Sequence, residues 1–294
     1  MNLFKFRTPP ALRQLPSGAQ GDGAAAAPEG EMAEMSFLDH LEELRWTILK
    51  SMLGLLLTTV VCSFFAKWVI DVLLLGPVHS SFFMYKVLGL HATDVVLQNR
   101  DITGQFFAYW GTVLAVGLVV GSPIIVYQLW KFIEPGLYPS EKKGLRFASF
   151  GATFFFVLGL SFGYLVLTPV ALMFFQNFRI SDNIINQFDI SRYFSMVTTW
   201  VFGSGIIFEL PVVVYFLAKL GLVNAALMRK VRSYAAIVIL IIAAIVTPPD
   251  VISQTLVAIP LLALYELSIF IAATVEKNRK KLLEELAKAD SPST

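Results

Sequence analysis

The sequence predicts an all-α membrane protein of six transmembrane helices in a curved bundle, with spans 5 and 6 short and both termini in the cytoplasm. Three observations predict it. Of 294 residues, 56% are hydrophobic and 15% charged, with a mean hydropathy of +0.68, whereas a soluble domain carries roughly 25% charged residues. Several charge-poor windows exceed the ~20 apolar residues that cross a bilayer. Finally, with the N-terminus inside, 18 of the 23 lysines and arginines fall on the cytoplasmic side. Only Lys67, Lys86, Arg100, Arg179 and Arg192 fall opposite, which is the asymmetry of the positive-inside rule.

Taken in order, residues 1–34 are rich in Gly, Ala and Pro and read as a disordered cytoplasmic leader. No apolar run follows its basic residues, so it is not a secretory signal. Ser36 and Asp39 fit a capping box. Behind them Phe37, Leu38, Leu41, Leu44 and Ile48 recur at helical spacing, an amphipathic helix feeding the first span. The six-span domain occupies 35–275. Span 1 runs from about Trp46 to Ile70 and span 2 from near Phe106 to Trp130. Span 3 covers about Phe147 to Ala171 and span 4 Phe194 to Ala218. Span 5, Tyr234 to Val246, covers roughly 20 Å of a hydrocarbon core ~30 Å thick. Span 6 starts at Val251 and ends near Ala273, leaving 276–294 as a basic cytoplasmic tail. A 13-residue span implies local thinning of the bilayer. Pro123, Pro169, Pro211 and Pro260 kink or end their helices, which makes the bundle curved rather than straight.

Little catalytic chemistry is available. Cys62 is the single cysteine and lies in an apolar window, so neither a disulfide nor a cysteine metal cluster can form within the chain. His40, His79 and His91 all lie outside the spans. The chain reads as no enzyme, with no metal, no cofactor and no nucleic-acid partner. Glu209 is the ionisable residue of span 4, about nine residues from its cytoplasmic end. An ionised carboxylate is costly there, so it is protonated, paired, or open to a water-filled groove. One reading is an interhelical hydrogen bond; the other is an intramembrane polar site that a substrate or partner segment meets. Pro211 frees backbone groups beside it. Glu266, nearer a span end, reads as structural. On the cytoplasmic side Glu42, Glu43, Arg45, Glu134 and Glu141 are ordinary solvated charges on composition alone. Carboxylates near one membrane face also suit a guanidinium pair, because such contacts are bidentate and charge-assisted. Gly117-Leu118-Val119-Val120-Gly121 and Gly159-Leu160-Ser161-Phe162-Gly163 are GxxxG matches, read as packing within the chain.

Four motifs, in order, carry a resemblance. His40-Leu41-Glu42-Glu43-Leu44-Arg45 is the first. The second is the run from Tyr127 to Tyr138, including Trp130-Lys131-Phe132-Ile133-Glu134-Pro135-Gly136-Leu137, followed by Glu141. Phe208-Glu209-Leu210-Pro211 is the third and Thr247-Pro248-Pro249-Asp250-Val251-Ile252-Ser253-Gln254 the fourth. Over about residues 36–275 the chain resembles the TatC family, the polytopic receptor subunit of the twin-arginine protein translocase. The resemblance implies a cup-shaped six-helix fold in a prokaryotic cytoplasmic (inner) membrane, and a protein that binds twin-arginine signal peptides of folded cargo. It implies that Glu43 and Glu141 contact the arginine pair, with Arg45, Phe132 and Leu137 beside them. Glu209 is implied to face the cavity, Asp250 and Gln254 to form the polar pair at the hairpin tip, and Pro77 to be the proline of the first outer loop. Implied partners are TatB-like and TatA-like single-span proteins in an oligomeric complex within the lipid bilayer, with the proton-motive force as energy source. The sequence departs from the family pattern at Thr47, where a second basic residue is often found, and at Gln98–Thr103, which lengthens the first outer loop. A proton-coupled solute transporter using Glu209 is the rival reading; unequal span lengths argue against the inverted repeat it would need. An intramembrane hydrolase is a weaker rival, since Ser161 and Ser204 lack a base.

Overall fold

The computed structural model describes residues 37–133, 142–247 and 251–289. Ser36, Glu134, Leu137, Glu141 and Asp250 therefore lie outside the described residues, as do the leader and the end of the tail. The chain divides into two units, Met1–His40 and Leu41–Thr294; the described residues of the first are helical, and the packing below belongs to the second.

The first crossing begins with α1 (Phe37–Phe64). Phe65 makes a one-residue turn, after which α2 (Ala66–Trp68) and a π-helical segment, Val69–Leu74, resume the path. Gly54 lies against Ile124 and Gly121 against Thr58, while Cys62 and Ala66 share a cluster with Val113. The first crossing is therefore antiparallel to α4 (Gly104–Ile133). Thr58 donates its hydroxyl to Gly117 O at 2.8 Å across this contact, and a Cβ on Gly117 would sit 2.8 Å from Thr59 Cα. The first GxxxG match thus packs within the chain.

Pro77, which has no N–H to donate, sits just past the π segment in a short 3₁₀ helix, Gly76–Val78, followed by α3 (Phe83–Val87). Six stretches are long and apolar enough to span a membrane: Leu41–Phe64, Ala66–Val87, Gly104–Leu129, Phe150–Asn177, Ile190–Lys219 and Gln254–Lys281, with Arg232–Ile245 shorter. The first two are not separate crossings. Residues 66–74 prolong α1 alongside α4, and 76–87 fold over the end of the bundle. With the short helix restored as the fifth, the crossings number six, as the sequence predicts.

The third crossing is α5 (Lys142–Phe162), a π segment Gly163–Leu167 and α6 (Thr168–Asn177). Thr168 Oγ1 donates to Gly163 O at 2.9 Å inside the widened turn, and Pro169 follows immediately. The fourth is α7 (Ile190–Phe208) and α8 (Leu210–Lys219), separated at Glu209. On α5, Gly159 faces Ser204 and Gly205 of α7; a Cβ there would meet Ser204 O at 2.6 Å. Ser204 Oγ donates to Gly159 O at 2.7 Å. The second GxxxG match is an internal helix contact too.

After α9 (Ala225–Lys230), α10 (Arg232–Val246) supplies the short fifth crossing, 15 residues or about 22 Å of helix. It packs on α11 (Val251–Ala289) through Ile239, Ala243, Val257 and Leu261. The 39-residue α11 does not stop where its apolar part does: a Lys280–Glu276 pair at 3.0 Å opens a charged continuation. Pro123 and Pro260 lie inside α4 and α11 without ending either. At the end holding the loops, β1 (Leu97–Gln98) pairs in parallel with β2 (Phe188–Asp189), Leu97 opposite Phe188.

Candidate functional site

The residues singled out from sequence fall in four places. Glu43 and Arg45 lie near the start of the first crossing. Because Gly54 opposes Ile124 in an antiparallel pair, counting back from 54 and forward from 124 sets Glu43 level with the C-terminal end of α4. Phe132 sits there, half-buried, where the segment carrying Leu137 and Glu141 begins. Arg45 is exposed. Glu43 is half-buried, and its Oε2 is enclosed with no hydrogen-bond partner among the described residues. Enclosed carboxylate oxygens are normally satisfied, which makes this one stand out among the described residues.

Glu209 stands at the interruption between α7 and α8, with φ −72° and ψ −6°. Pro211 supplies the cause: it offers no N–H to Ile207 O, and its ring disfavours a regular turn before it. Glu209 N instead donates to Ile206 O at 3.2 Å, while Glu209 O accepts from Val212 N and Val213 N, both at 3.0 Å. The carboxylate is half-buried, about 15 Å of helix from Lys219. It makes no side-chain hydrogen bond or ion pair among the described residues. Phe208 beside it packs on Phe162 at 5.3 Å between ring centroids. Glu266, by contrast, pairs with Arg232 at 2.6 Å, tying α11 to the start of α10.

At the hairpin, Gln254 Nε2 donates to Leu240 O at 3.2 Å, joining the two helices. Thr247 turns the chain by donating both its N–H and its hydroxyl to Ala243 O, at 2.9 and 2.8 Å. Pro77 is fully buried at the opposite end of the bundle from Glu43. Around it sits a network that no sequence motif announced. Tyr164 donates to Leu73 O at 2.7 Å, Tyr193 to Leu74 O at 2.6 Å and Tyr85 to Pro77 O at 2.6 Å. Leu73 O is the carbonyl whose partner four residues on is Pro77. A buried tyrosine inside an apolar span, two or more times over, is the signal that could have found it.

The family model for the Sec-independent protein translocase protein (TatC) matches residues 39–260. The chain belongs to the TatC family. A TatC of Blattabacterium sp. subsp. Periplaneta americana (strain BPLAN) is 35% identical over 265 residues, covering 85% of this chain and all of the relative. A TatC of Helicobacter pylori (strain ATCC 700392 / 26695) is 39% identical over 237 residues, covering 80% of this chain and 87% of the relative. The crystal structure of the twin arginine translocase receptor TatC superposes with a TM-score of 0.63 at 34% identity, covering 81% of this chain and 99% of that one. TatC relatives are components of a protein translocase, a transport role rather than catalysis. The match ends at residue 260, so the charged continuation of α11 lies beyond it.

Proposed function

We propose that this TatC-family chain is the twin-arginine signal-peptide receptor and core subunit of a translocase exporting folded proteins across a prokaryotic cytoplasmic membrane, driven by the proton-motive force. The observation that carries the reading is Glu43: a carboxylate oxygen enclosed without a donor among the described residues, level with the end of α4 where Phe132 lies. In this reading the arginine pair docks on Glu43 and Glu141, flanked by Arg45, Phe132 and Leu137. The apolar part of the signal then moves along the helices toward Glu209. Asp250 and Gln254 hold the hairpin, Pro77 holds the outer loop, and both termini are cytoplasmic. TatB-like and TatA-like single-span proteins complete an oligomeric complex.

Each charge-assisted hydrogen bond contributes roughly 1.5–3 kcal/mol, and a guanidinium makes two in register where an ammonium makes one. A twin-arginine signal peptide should therefore bind the full chain, in nanodiscs with its single-span partner, about tenfold or more tightly than its Lys-Lys counterpart. Glu43→Ala and Glu141→Ala should each collapse that preference. Equal binding of both peptides to the unaltered protein, or a preference that survives both substitutions, would remove the receptor role.

A further inference from the structure

The end of the bundle that carries β1 and β2 holds a cavity of about 940 Å³, open to the surface between the C-terminus of α6 and the start of α7. Its lining has two chemistries. Arg100 and Arg192 supply guanidinium groups, while Phe175, Phe178 and Met196 supply apolar surface. Both arginines are exposed. Arg192 makes no side-chain hydrogen bond or ion pair among the described residues. Among the described residues the Arg100 side chain donates to neutral groups, Gln98 Oε1 at 3.4 Å and Gln187 Oε1.

Two carboxylates also line the cavity, and neither neutralises the pair through a side-chain contact. Asp189 Oδ2 accepts from Arg100 N at 3.1 Å, and its Oδ1 accepts from Ser191 N at 2.9 Å and Arg192 N at 3.2 Å. Those backbone donors hold the Asp189 carboxyl below the usual range, the Arg100 N–H foremost. They also cap α7, so the amides at that helix start are occupied and the helix end is not itself an anion site. Asp101 is turned to Thr103, whose N–H and hydroxyl both lie 3.4 Å away. The Arg100 charge is partly offset by Asp189, whose carboxyl it helps to hold low, while Arg192 has no side-chain partner among the described residues.

The depth of the cavity says what answers it. α6 leaves its span at Asn177 and α7 enters its own at Ile190, so the cavity lies where headgroups lie, at the edge of the hydrocarbon. Beside its lining residues, outside every span, Ile102, Ile180 and Ile185 are 98%, 85% and 80% exposed. Single exposed apolar residues need no explanation; three in the segments that line this cavity fit a surface that meets something apolar. A free anion would use the arginines and leave the phenyl rings wet. An apolar peptide would cover the rings and leave two charges bare.

We propose that this cavity binds one phospholipid of the leaflet at that end, its phosphate held by Arg100 and Arg192 and an acyl chain laid along Phe175, Phe178 and Met196. The site would seat the β1–β2 loops on the bilayer surface. It is independent of the signal-peptide reading, whose Glu43 and Phe132 lie at the other end of the bundle.

Native mass spectrometry of the full chain, delipidated in detergent, tests this with three probes: phosphatidylglycerol, a diacylglycerol with the same chains, and inorganic phosphate. One phosphatidylglycerol should be retained with distinctly higher affinity than the rest, and diacylglycerol should not replace it. Arg192→Gln should weaken that one event about tenfold, and Arg100→Gln with Arg192→Gln should abolish it. Phe178→Ser should weaken it while leaving other lipid binding unchanged. Arg192 has no described protein partner to lose, so the single variant is expected to fold; a thermal melt checks it. Undiminished retention in the double variant would overturn the proposal. So would full competition by inorganic phosphate at concentrations comparable to the lipid, which would leave a free-anion site with no acyl component.

Discussion

Tyr85, Tyr164 and Tyr193 come from three separate elements, yet each gives its hydroxyl to a carbonyl left open at or just beyond the end of the first crossing. In hydrocarbon every such carbonyl must find a donor, so the proline that stops the helix creates the need that the tyrosines meet. The sequence comparison marked Pro77 but not its partners, because a hydroxyl acting 91 or 119 residues away leaves no local pattern. Gln98–Thr103, which the family pattern left unexplained, lies in the same region: Gln98 ends β1, and the residues after it deliver Arg100 N–H to Asp189. Asp189 gives this contact a pH dependence. Its carboxyl is held low by the N–H groups of Arg100, Arg192 and Ser191, with Arg100 the largest cause. A depressed folded-state value means the stabilisation is complete above the unfolded value, near 3.9, and is lost as pH falls through the folded value below it. Hydrogen-exchange protection at Arg100, Ser191 and Arg192 should therefore hold at neutral pH and fall away below about pH 4. In Asp189→Asn the protection should be weaker throughout and no longer depend on pH in that window; a variant that keeps the acid transition would assign it elsewhere.

Between elements, α5 and α7 approach closely where Gly159 meets the Ser204 and Gly205 backbone. A side chain there must push the helices apart, and overpacking of this kind costs about 1–3 kcal/mol. Gly159→Leu should lower the melting temperature of the detergent-solubilised protein by several degrees, while Gly151→Leu, which meets nothing within 4 Å, should leave it unchanged. Equal effects would mean the contact does not limit stability. The spans and both GxxxG contacts were legible in the sequence because charge-free length and small-residue spacing are local properties. The two π segments and the continuation of α11 to Ala289 were not, since a widened turn is fixed by what packs on it and a charged helix outside the membrane breaks no rule of hydropathy. Among the four prolines, Pro211 and Pro169 sit in the first turn of a new helix, after the break at Glu209 and the π segment respectively; Pro123 and Pro260 are accommodated. For the candidate site the sequence named positions, and the structure adds the enclosed oxygen of Glu43 and the turn at Glu209. The short α10 has a consequence of its own. Its ~22 Å cannot match ~30 Å of hydrocarbon without thinning or drawn-in polar groups. Inserting Leu-Ala-Leu-Ala within α10 adds about one turn and should sharply reduce export of a folded twin-arginine reporter at equal protein level. Undiminished export would detach thinning from transport.

For the whole chain the decisive quantity is the parity of crossings. By length and hydropathy alone, Ala66–Val87 qualifies as a span beside Leu41–Phe64, and with the short α10 the count would reach seven. An odd count would put the termini on opposite sides. The side-chain register argues for six: Cys62 and Ala66 both pack on Val113, so residues 66–74 travel onward beside α4 instead of turning back. The carbonyls of Leu73, Leu74 and Pro77 are then received by tyrosines at the same end where α6 finishes and α7 begins. Six crossings would put both termini on one side, and in the proposed reading the lysine and arginine distribution makes that side the cytoplasm. Cys62 is the single cysteine and is buried, so Cys62→Ser provides a clean background for labelling. In intact cells an impermeant maleimide should modify Ser80→Cys and Ser181→Cys, both exposed at the cap end, and should spare Ser293→Cys until the membrane is opened. Labelling of Ser181→Cys together with Ser293→Cys from outside would require an even number of crossings between them and would remove α10 as a crossing. Protection of both Ser80→Cys and Ser181→Cys, with labelling of Ser293→Cys from outside, would show instead that the break at Phe65 begins a crossing of its own.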